Sequence, residues 1–197
     1  MACAAATVKP QNLLTLMNET NSNPVPAPAA ASAPNAVKPT VTPAPVAAPV
    51  APPPPLPVPG ALVHVALPFQ GADFALKGYH ADATVASDQV VAAASKMDQE
   101  GFALDAITGV DWIAQNQMEL VYDFFHPHKE LRAVVRTRVP RENPELPTIS
   151  GVFSGANWHE RETHDFFGIN FSGHPDLSPF LLPEDADYHP LRKDFAL

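Results

Sequence analysis

A chain of 197 residues with 21 acidic against 12 basic side chains, net charge −9 at pH 7, repels polyanions, which argues against a nucleic-acid binder or a protein drawn to anionic lipid. Its one cysteine, Cys3, excludes a disulfide framework and a thiolate set for an iron–sulfur cluster. No apolar run reaches the roughly 18 residues needed to span a bilayer, no signal-peptide pattern opens the chain, and the lack of arginine before Arg132 argues against a mitochondrial presequence. The expectation is a soluble, bacterial-type cytoplasmic protein.

In chain order, Leu13, Leu14, Leu16 and Met17 form a small apolar island, read as a nascent helix too short to be stable alone. From Pro24 to Pro59 there follow fourteen prolines, ten alanines, six valines and one charge, Lys38. Such a segment cannot offset its ordering entropy, so residues 1–59 are expected to be a disordered Pro/Ala-rich tether of polyproline-II character. Residues 60–197 then form one domain of ordinary size. They carry twenty acids against ten bases, a net of −10.

Within that domain Ala61 to Leu67 reads as a strand. Ser87 is a plausible N-cap for an amphipathic helix over Asp88 to Glu100, with Val90, Val91, Ala94 and Met97 inward and Gly101 as the stop. Three strands come next, Phe102 to Trp112, Met118 to Phe125 and Leu131 to Val139, and the short link from His126 to Lys129 makes them an antiparallel meander. In the third, Arg132, Arg136 and Arg138 share one face and Ala133, Val135 and Val139 the other, so one side is buried and the other basic, a candidate contact surface. Pro140, Pro144 and Pro147 mark a loop before the last helix. The fold class is α+β, two layers: an antiparallel or mixed sheet with helices on one face and a long irregular C-terminal arm, residues 168–197.

The last helix, around Ala156 to Phe167, is crowded with charge, and the arm behind it holds Pro175, Pro179, Pro183 and Pro190, so no helix or central strand runs through it. Phe171, Leu177, Phe180, Leu181, Leu182, Leu191, Phe195 and Leu197 nevertheless favour docking on something, at about 1.5–3 kcal/mol for each large apolar side chain buried. Arg161 and Asp165, at i and i+4, are placed to pair, while Glu160 and Glu162 point elsewhere and need partners from outside. A zinc-hydrolase reading of His159-Glu160-Arg161-Glu162-Thr163-His164 fails on spacing: histidines five apart lie about 140° around a helix, whereas a zincin needs i and i+4. His126 and His128 would share a face but lack a third ligand. Nine glycines, none in a G-x-G-x-x-G pattern, give no dinucleotide fingerprint.

Several blocks of this chain, in order, carry a resemblance. Glu160-Arg161-Glu162, Asp165-Phe166-Phe167-Gly168-Ile169, His174-Pro175-Asp176-Leu177 and His189-Pro190-Leu191-Arg192-Lys193-Asp194-Phe195 resemble the signature of the C-type subunit family of respiratory complex I, the NADH:quinone oxidoreductase. Phe102 to Asp105, Gly109 to Trp112, Leu120 to Tyr122, Arg132 to Val139 and Ala156 to Trp158 agree, so the likeness covers about residues 88–197. One element departs: Ser178-Pro179 stands where that family usually has a basic pair. The resemblance implies a non-catalytic scaffold in the peripheral, quinone-side module, on the cytoplasmic face of the bacterial inner membrane. It implies no cofactor in this chain, with flavin, iron–sulfur clusters and quinone held by partner subunits, chiefly a D-type quinone-site subunit and adjacent iron–sulfur subunits. It also implies an interface through Glu160, Arg161, Glu162, Asp165, His174, Pro175, Asp176, His189, Arg192, Lys193 and Asp194. The alternative is the equivalent subunit of a membrane-bound nickel–iron hydrogenase or formate hydrogenlyase.

Overall fold

A computed structural model describes residues 56–196. The island at Leu13 to Met17, Cys3 and all but the end of the expected tether lie outside the described residues. The elements are α1 (Gly60–Val63), β1 (Gln70–Gly71), α2 (Phe74–Lys77), β2 (Ala81–Thr84), α3 (Val90–Gln99), β3 (Ala103–Trp112), β4 (Gln117–His126), β5 (Leu131–Pro140), β6 (Glu145–Pro147), α4 (Ala156–Phe167) and β7 (Asn170–Ser172).

Two early expectations are corrected. Ala61 to Leu67 is not a strand: Leu62 N–H bonds to Pro59 O at 2.8 Å, closing a helical turn, and the buried Leu62 and Val65 are three apart, a helical spacing rather than an alternation. Ser87 makes no side-chain cap; a 3₁₀ turn, Ser87–Gln89, leads into α3 instead. From there α3 buries Val90, Ala93, Ala94 and Met97 and stops ahead of Gly101, as its sequence suggests.

The main sheet has the order β1-β2-β5-β4-β3. The meander is antiparallel with one uninterrupted register between β4 and β5, Met118 against Val139 through Phe124 against Ala133. Strand β2, whose short Ala-Asp-Ala-Thr run gives little signal, lies parallel to β5. Alternation puts Met118, Leu120, Tyr122 and Phe124 in the core with Ala133, Val135 and Val139, each large side chain contributing about 1.5–3 kcal/mol by leaving water. The helices cover this inner face. A second, two-stranded parallel sheet of β6 and β7 ties the loop before α4 to the chain that follows it.

The outer face is not basic. Every arginine expected to give it positive charge meets an acid from a neighbouring strand: Arg132 pairs with Asp105 and with Asp123 at 2.8 Å, Arg138 Nε lies 2.9 Å from Glu119, and Arg136 is 3.6 Å from Glu119 and 3.9 Å from Asp82. Cross-strand pairing of opposite charges is the favourable arrangement on a pleated face. Trp112 Nε1 donates to Glu119 as well, at 3.2 Å, which leaves that carboxylate 4% exposed and fully engaged. Three arginines meet four carboxylates, so the face is a lattice of ion pairs with no excess of positive charge.

Strand β3 sets the seat of α4. Gly109 lies on the inner face opposite Leu120, and a Cβ there would stand 2.6 Å from the Phe167 ring, so the missing side chain lets helix and strand approach. Gly109→Ala should lower stability by about 1–3 kcal/mol through overpacking, read as a lower thermal midpoint. Phe167→Leu in the same chain should recover part of the loss, because the two sites share one contact.

Candidate subunit interface

Helix α4 is used on both sides. Ala156, Glu160, Thr163 and Phe167, spaced i, i+4, i+7 and i+11, are buried toward the sheet, while Trp158, Arg161 and Asp165 project from the opposite face, where the arm lies. The helix is thus sandwiched between strand β3 and the arm.

On the inner side Glu160 is 0% exposed. Its carboxylate accepts from the Thr148 hydroxyl at 2.5 Å and from Ile149 N–H at 2.8 Å. His174 Nδ1 accepts from Asp176 N–H at 3.1 Å, which leaves Nε2 as the protonated nitrogen of the neutral ring, 3.3 Å from Asn157 O and 3.7 Å from Glu160. Burial raises the Glu160 pKa against these bonds, and burial together with Glu160 pushes the Tyr122 phenol up. Glu160 therefore has partners within the chain, contrary to the expectation that it needs them from outside; the unpaired backbone N–H of the loop at Ile149 is what draws it in.

On the outer side the expected Arg161–Asp165 pair does not form. Arg161 donates to Ser178 O at 3.0 Å, Ser178 Oγ at 3.2 Å and Pro179 O at 3.0 Å, and its guanidinium lies 5.2 Å from the Trp158 ring and 5.3 Å from the Phe180 ring. Asp165 Oδ2 accepts from the N–H groups of Phe180, Leu181 and Leu182 at 2.8, 2.7 and 3.2 Å. Beyond β7 the arm has no helix or strand and so has backbone groups to satisfy, and these charged side chains bond them more strongly than neutral partners would. Burial opposes ionisation of Asp165, but the three backbone donors outweigh it and hold the carboxyl below its usual range.

The end of α4 is capped by the arm as well. The last helical carbonyls lack intrahelical donors; His189 Nδ1 bonds Asp165 O at 2.8 Å, Leu191 N–H bonds Phe166 O at 3.1 Å and Arg192 Nε bonds Phe167 O at 2.7 Å. A cation is favoured at this negative end of the helix dipole. Gly168 has φ +70 and a Cβ on it would collide with His189 and Arg192, so both conformation and space call for glycine.

Farther along, Asp111 lies on the inner face of β3 and is met by Arg141 through two bonds, 2.9 and 3.1 Å, and by Lys193 N–H at 2.8 Å. Arg141 also bonds Asp194. Burial works against the Asp111 charge and these partners overcome it, so its pKa is lowered; Asp194 is lowered by its bond to Arg141. Sequence reasoning did not single out Arg141 or Thr148. A signal existed for Arg141: Asp111 shares strand parity with Ile107 and Gly109, and an acid on a buried face demands a cation.

Of the expected interface residues, Glu160, Arg161, Asp165, His174, His189, Arg192 and Asp194 bond other parts of this chain. Asp176 Oδ1 accepts from Ser178 N–H at 2.9 Å to close a turn, Pro175 and the Lys193 side chain are exposed, and Glu162 makes no side-chain bond among the described residues. The arm's apolar residues divide. Phe171 is buried and Leu177 packs on the core, whereas Trp158 of α4 and Phe180, Leu181, Tyr188 and Leu191 of the arm are 39–54% exposed, an unusual density of large apolar groups for one layer.

An α+β domain whose last helix is laced to an irregular arm defines a class, and comparison identifies it. Residues 83–197 match the family described as respiratory-chain NADH dehydrogenase, 30 kDa subunit; the chain belongs to that family. It is 43% identical over 95 residues to the C-type subunit of the NADH-quinone oxidoreductase of Roseiflexus sp. (strain RS-1), covering 48% of this chain and 55% of the relative. It is 38% identical over 93 residues to the C-type subunit of the F(420)H(2) dehydrogenase of Methanosarcina mazei, covering 47% and 59%. The chain thus spans little more than half the length of these curated relatives. Among solved structures it resembles a chain of the membrane-bound sulfane sulfur reductase, an archaeal respiratory membrane complex, with TM-score 0.60 and 27% identity over 70% of this chain and 82% of that one.

Asp165→Ala should cost about 1.5–3 kcal/mol at neutral pH, the worth of hydrogen bonds to a charged group. A carboxyl with a depressed folded pKa adds stability that is present above the unfolded value of about 3.9 and is lost as pH falls through the folded pKa. The gap between wild type and variant, measured by denaturant unfolding from pH 7 downward, should therefore narrow in acid.

Proposed function

We propose that this chain is a scaffold subunit of the peripheral, quinone-side module of a proton-translocating NADH:quinone oxidoreductase, holding no redox group of its own. The supporting observation is the helix–arm layer: charged residues of α4 are used to fix the arm, and the fixed arm presents Phe180, Leu181, Tyr188 and Leu191 beside Trp158 to solvent. Aromatic anchors such as Trp and Tyr on a rigid frame are the usual energetic centre of an interface, with neighbouring apolar contacts excluding water around them. The partner on this face is the D-type quinone-site subunit, with iron–sulfur subunits adjacent, and the flavin, clusters and quinone reside in those chains. Glu162, unpaired among the described residues, belongs to the same contact. The place of work is the cytoplasmic face of the bacterial inner membrane; among the described residues no helix is long and apolar enough to cross a membrane.

A second reading has its own support. The likeness to an F(420)H(2) dehydrogenase subunit and to a sulfane sulfur reductase chain shows related subunits in complexes of different names, so the same scaffold fits a membrane-bound nickel–iron hydrogenase or formate hydrogenlyase. Co-purification decides: NADH- and flavin-binding companions support the first reading, nickel–iron companions the second.

Trp158→Ala and Leu181→Ala should each weaken assembly by about 2 kcal/mol or more as anchors, seen as loss of the complex on native gels, while the isolated chain loses much less, about 1 kcal/mol for Trp158→Ala through its contact with Arg161. If midpoints fall and assembly per folded molecule is unchanged, the layer serves only this chain's own stability and the scaffold reading fails.

A further inference from the structure

Between α4 and the arm lies a pocket of about 60 Å³ lined by His164, Asp165, Leu182, Pro183, Tyr188 and His189, with Pro179 and Ala186 completing it. Asp165 is 5% exposed, and its three hydrogen bonds all fall on Oδ2. Its second oxygen, Oδ1, accepts nothing among the described residues. With Oδ2 saturated, Oδ1 is the oxygen left to receive a ligand in this pocket.

The two histidines of the lining add to it. His164 Nδ1 lies 2.9 Å from Ile169 O and His189 Nδ1 lies 2.8 Å from Asp165 O. A carbonyl accepts, so each Nδ1 carries the proton, and in the neutral rings each Nε2 is an acceptor. The rim is acidic: Glu184, Asp185 and Asp187 are all exposed, and from His174 to Leu191 the arm has four acids and no lysine or arginine. Arg161 and Arg192 are held outside the lining by carbonyls of Ser178, Pro179 and Phe167. A pocket of this size holds about four waters, or the four heavy atoms of a guanidinium group, and its proline and leucine walls suit the methylene stem behind such a head.

We propose that this pocket is the receptor for one basic side chain, an arginine, of the partner subunit, whose guanidinium bonds Asp165 Oδ1 while its stem packs on Pro179, Leu182 and Pro183. The acidic rim steers it in. This rests on the scaffold reading for the identity of the partner, but the pocket's preference for a cation is a property of this chain and is tested without it.

The test has two arms. The full-length chain, ¹⁵N-labelled, is titrated with n-propylguanidinium chloride against sodium chloride as control. The Phe180, Leu181 and Leu182 amides should shift saturably in the wild type and not in Asp165→Asn, which keeps an acceptor for those amides but places an NH₂ toward the pocket, nor in Ala186→Lys, which supplies a cation from the lining itself. No shift in the wild type, or a shift that persists in both variants, overturns the proposal. So does a response of the His164 and His189 ring signals to zinc chloride alone with none to the guanidinium, which would make the pocket a metal site.

In the assembled complex, Ala186→Lys and Asp165→Asn should each lower partner co-purification at least tenfold per folded chain. If Trp158→Ala weakens assembly and Ala186→Lys does not, the receptor proposal fails and the scaffold reading stands. If neither does, both fail.

Discussion

A segment broken by prolines must still have its backbone groups paired, and in this domain helix α4 supplies the pairing on which the rest depends. Asp165 takes three successive N–H groups, Arg161 takes two carbonyls, and in return the arm gives three donors to the open carbonyl end of the helix. Each bond is modest on its own, about 1 kcal/mol or somewhat more where a charge is involved. Collectively they substitute for the ladder that the arm beyond β7 does not make. Arg161 and Asp165 of α4 are therefore explained by the arm that follows the helix, and several of the arm's apolar groups, Phe180, Leu181 and Leu191 among them, face outward.

The sheet makes the same choice in a different way. Its outer face could have been a basic surface, and alternation in β5 alone suggests one. Acids placed across the strands at Asp82, Glu119 and Asp123 cancel it. The more open pairs of Arg132 with Asp105 and Asp123 add little stability singly, whereas Glu119 is buried and its charge depends on Arg136 and Arg138. Exposed large apolar groups lie in the helix–arm layer, at Trp158, Phe180, Leu181, Tyr188 and Leu191, and also outside it, at Val63, Phe74 and Leu76, while exposed acids run from Glu184 to Asp187.

Much of this was legible beforehand. The meander was readable because Val, Phe, Tyr and Arg alternate over ten-residue strands, and α3 because its apolar residues recur at helical spacing and Gly101 ends them. Strand β2 was not, since four small or polar residues carry no period, and a parallel pairing joins it to a strand about fifty residues away. Nor was the α1 turn, where a run of aliphatic residues suits either structure and only the carbonyl of Pro59 decides. Within the site, helical spacing paired Arg161 with Asp165 wrongly. Arg161 and Asp165 look like a pair because helical spacing is local information. Their true partners are backbone groups 15–18 residues on, which no side-chain pattern encodes. Glu160 misled for the same reason, its partner being an amide.

The clasp at Asp111 carries a consequence for the order in which the molecule is made. It joins the first strand of the meander to Lys193 and Asp194, some eighty residues later, and the cap on α4 comes from that same late stretch. Domains form progressively as the chain emerges, so the sheet and α4 can assemble while the helix still lacks its cap and Asp165 its three donors. The outward layer is finished only once the arm has cleared the ribosome. A nascent chain halted after α4 would thus lack Ile169 and Phe171 of the core, the strand that pairs with β6 and the cap on the helix all at once.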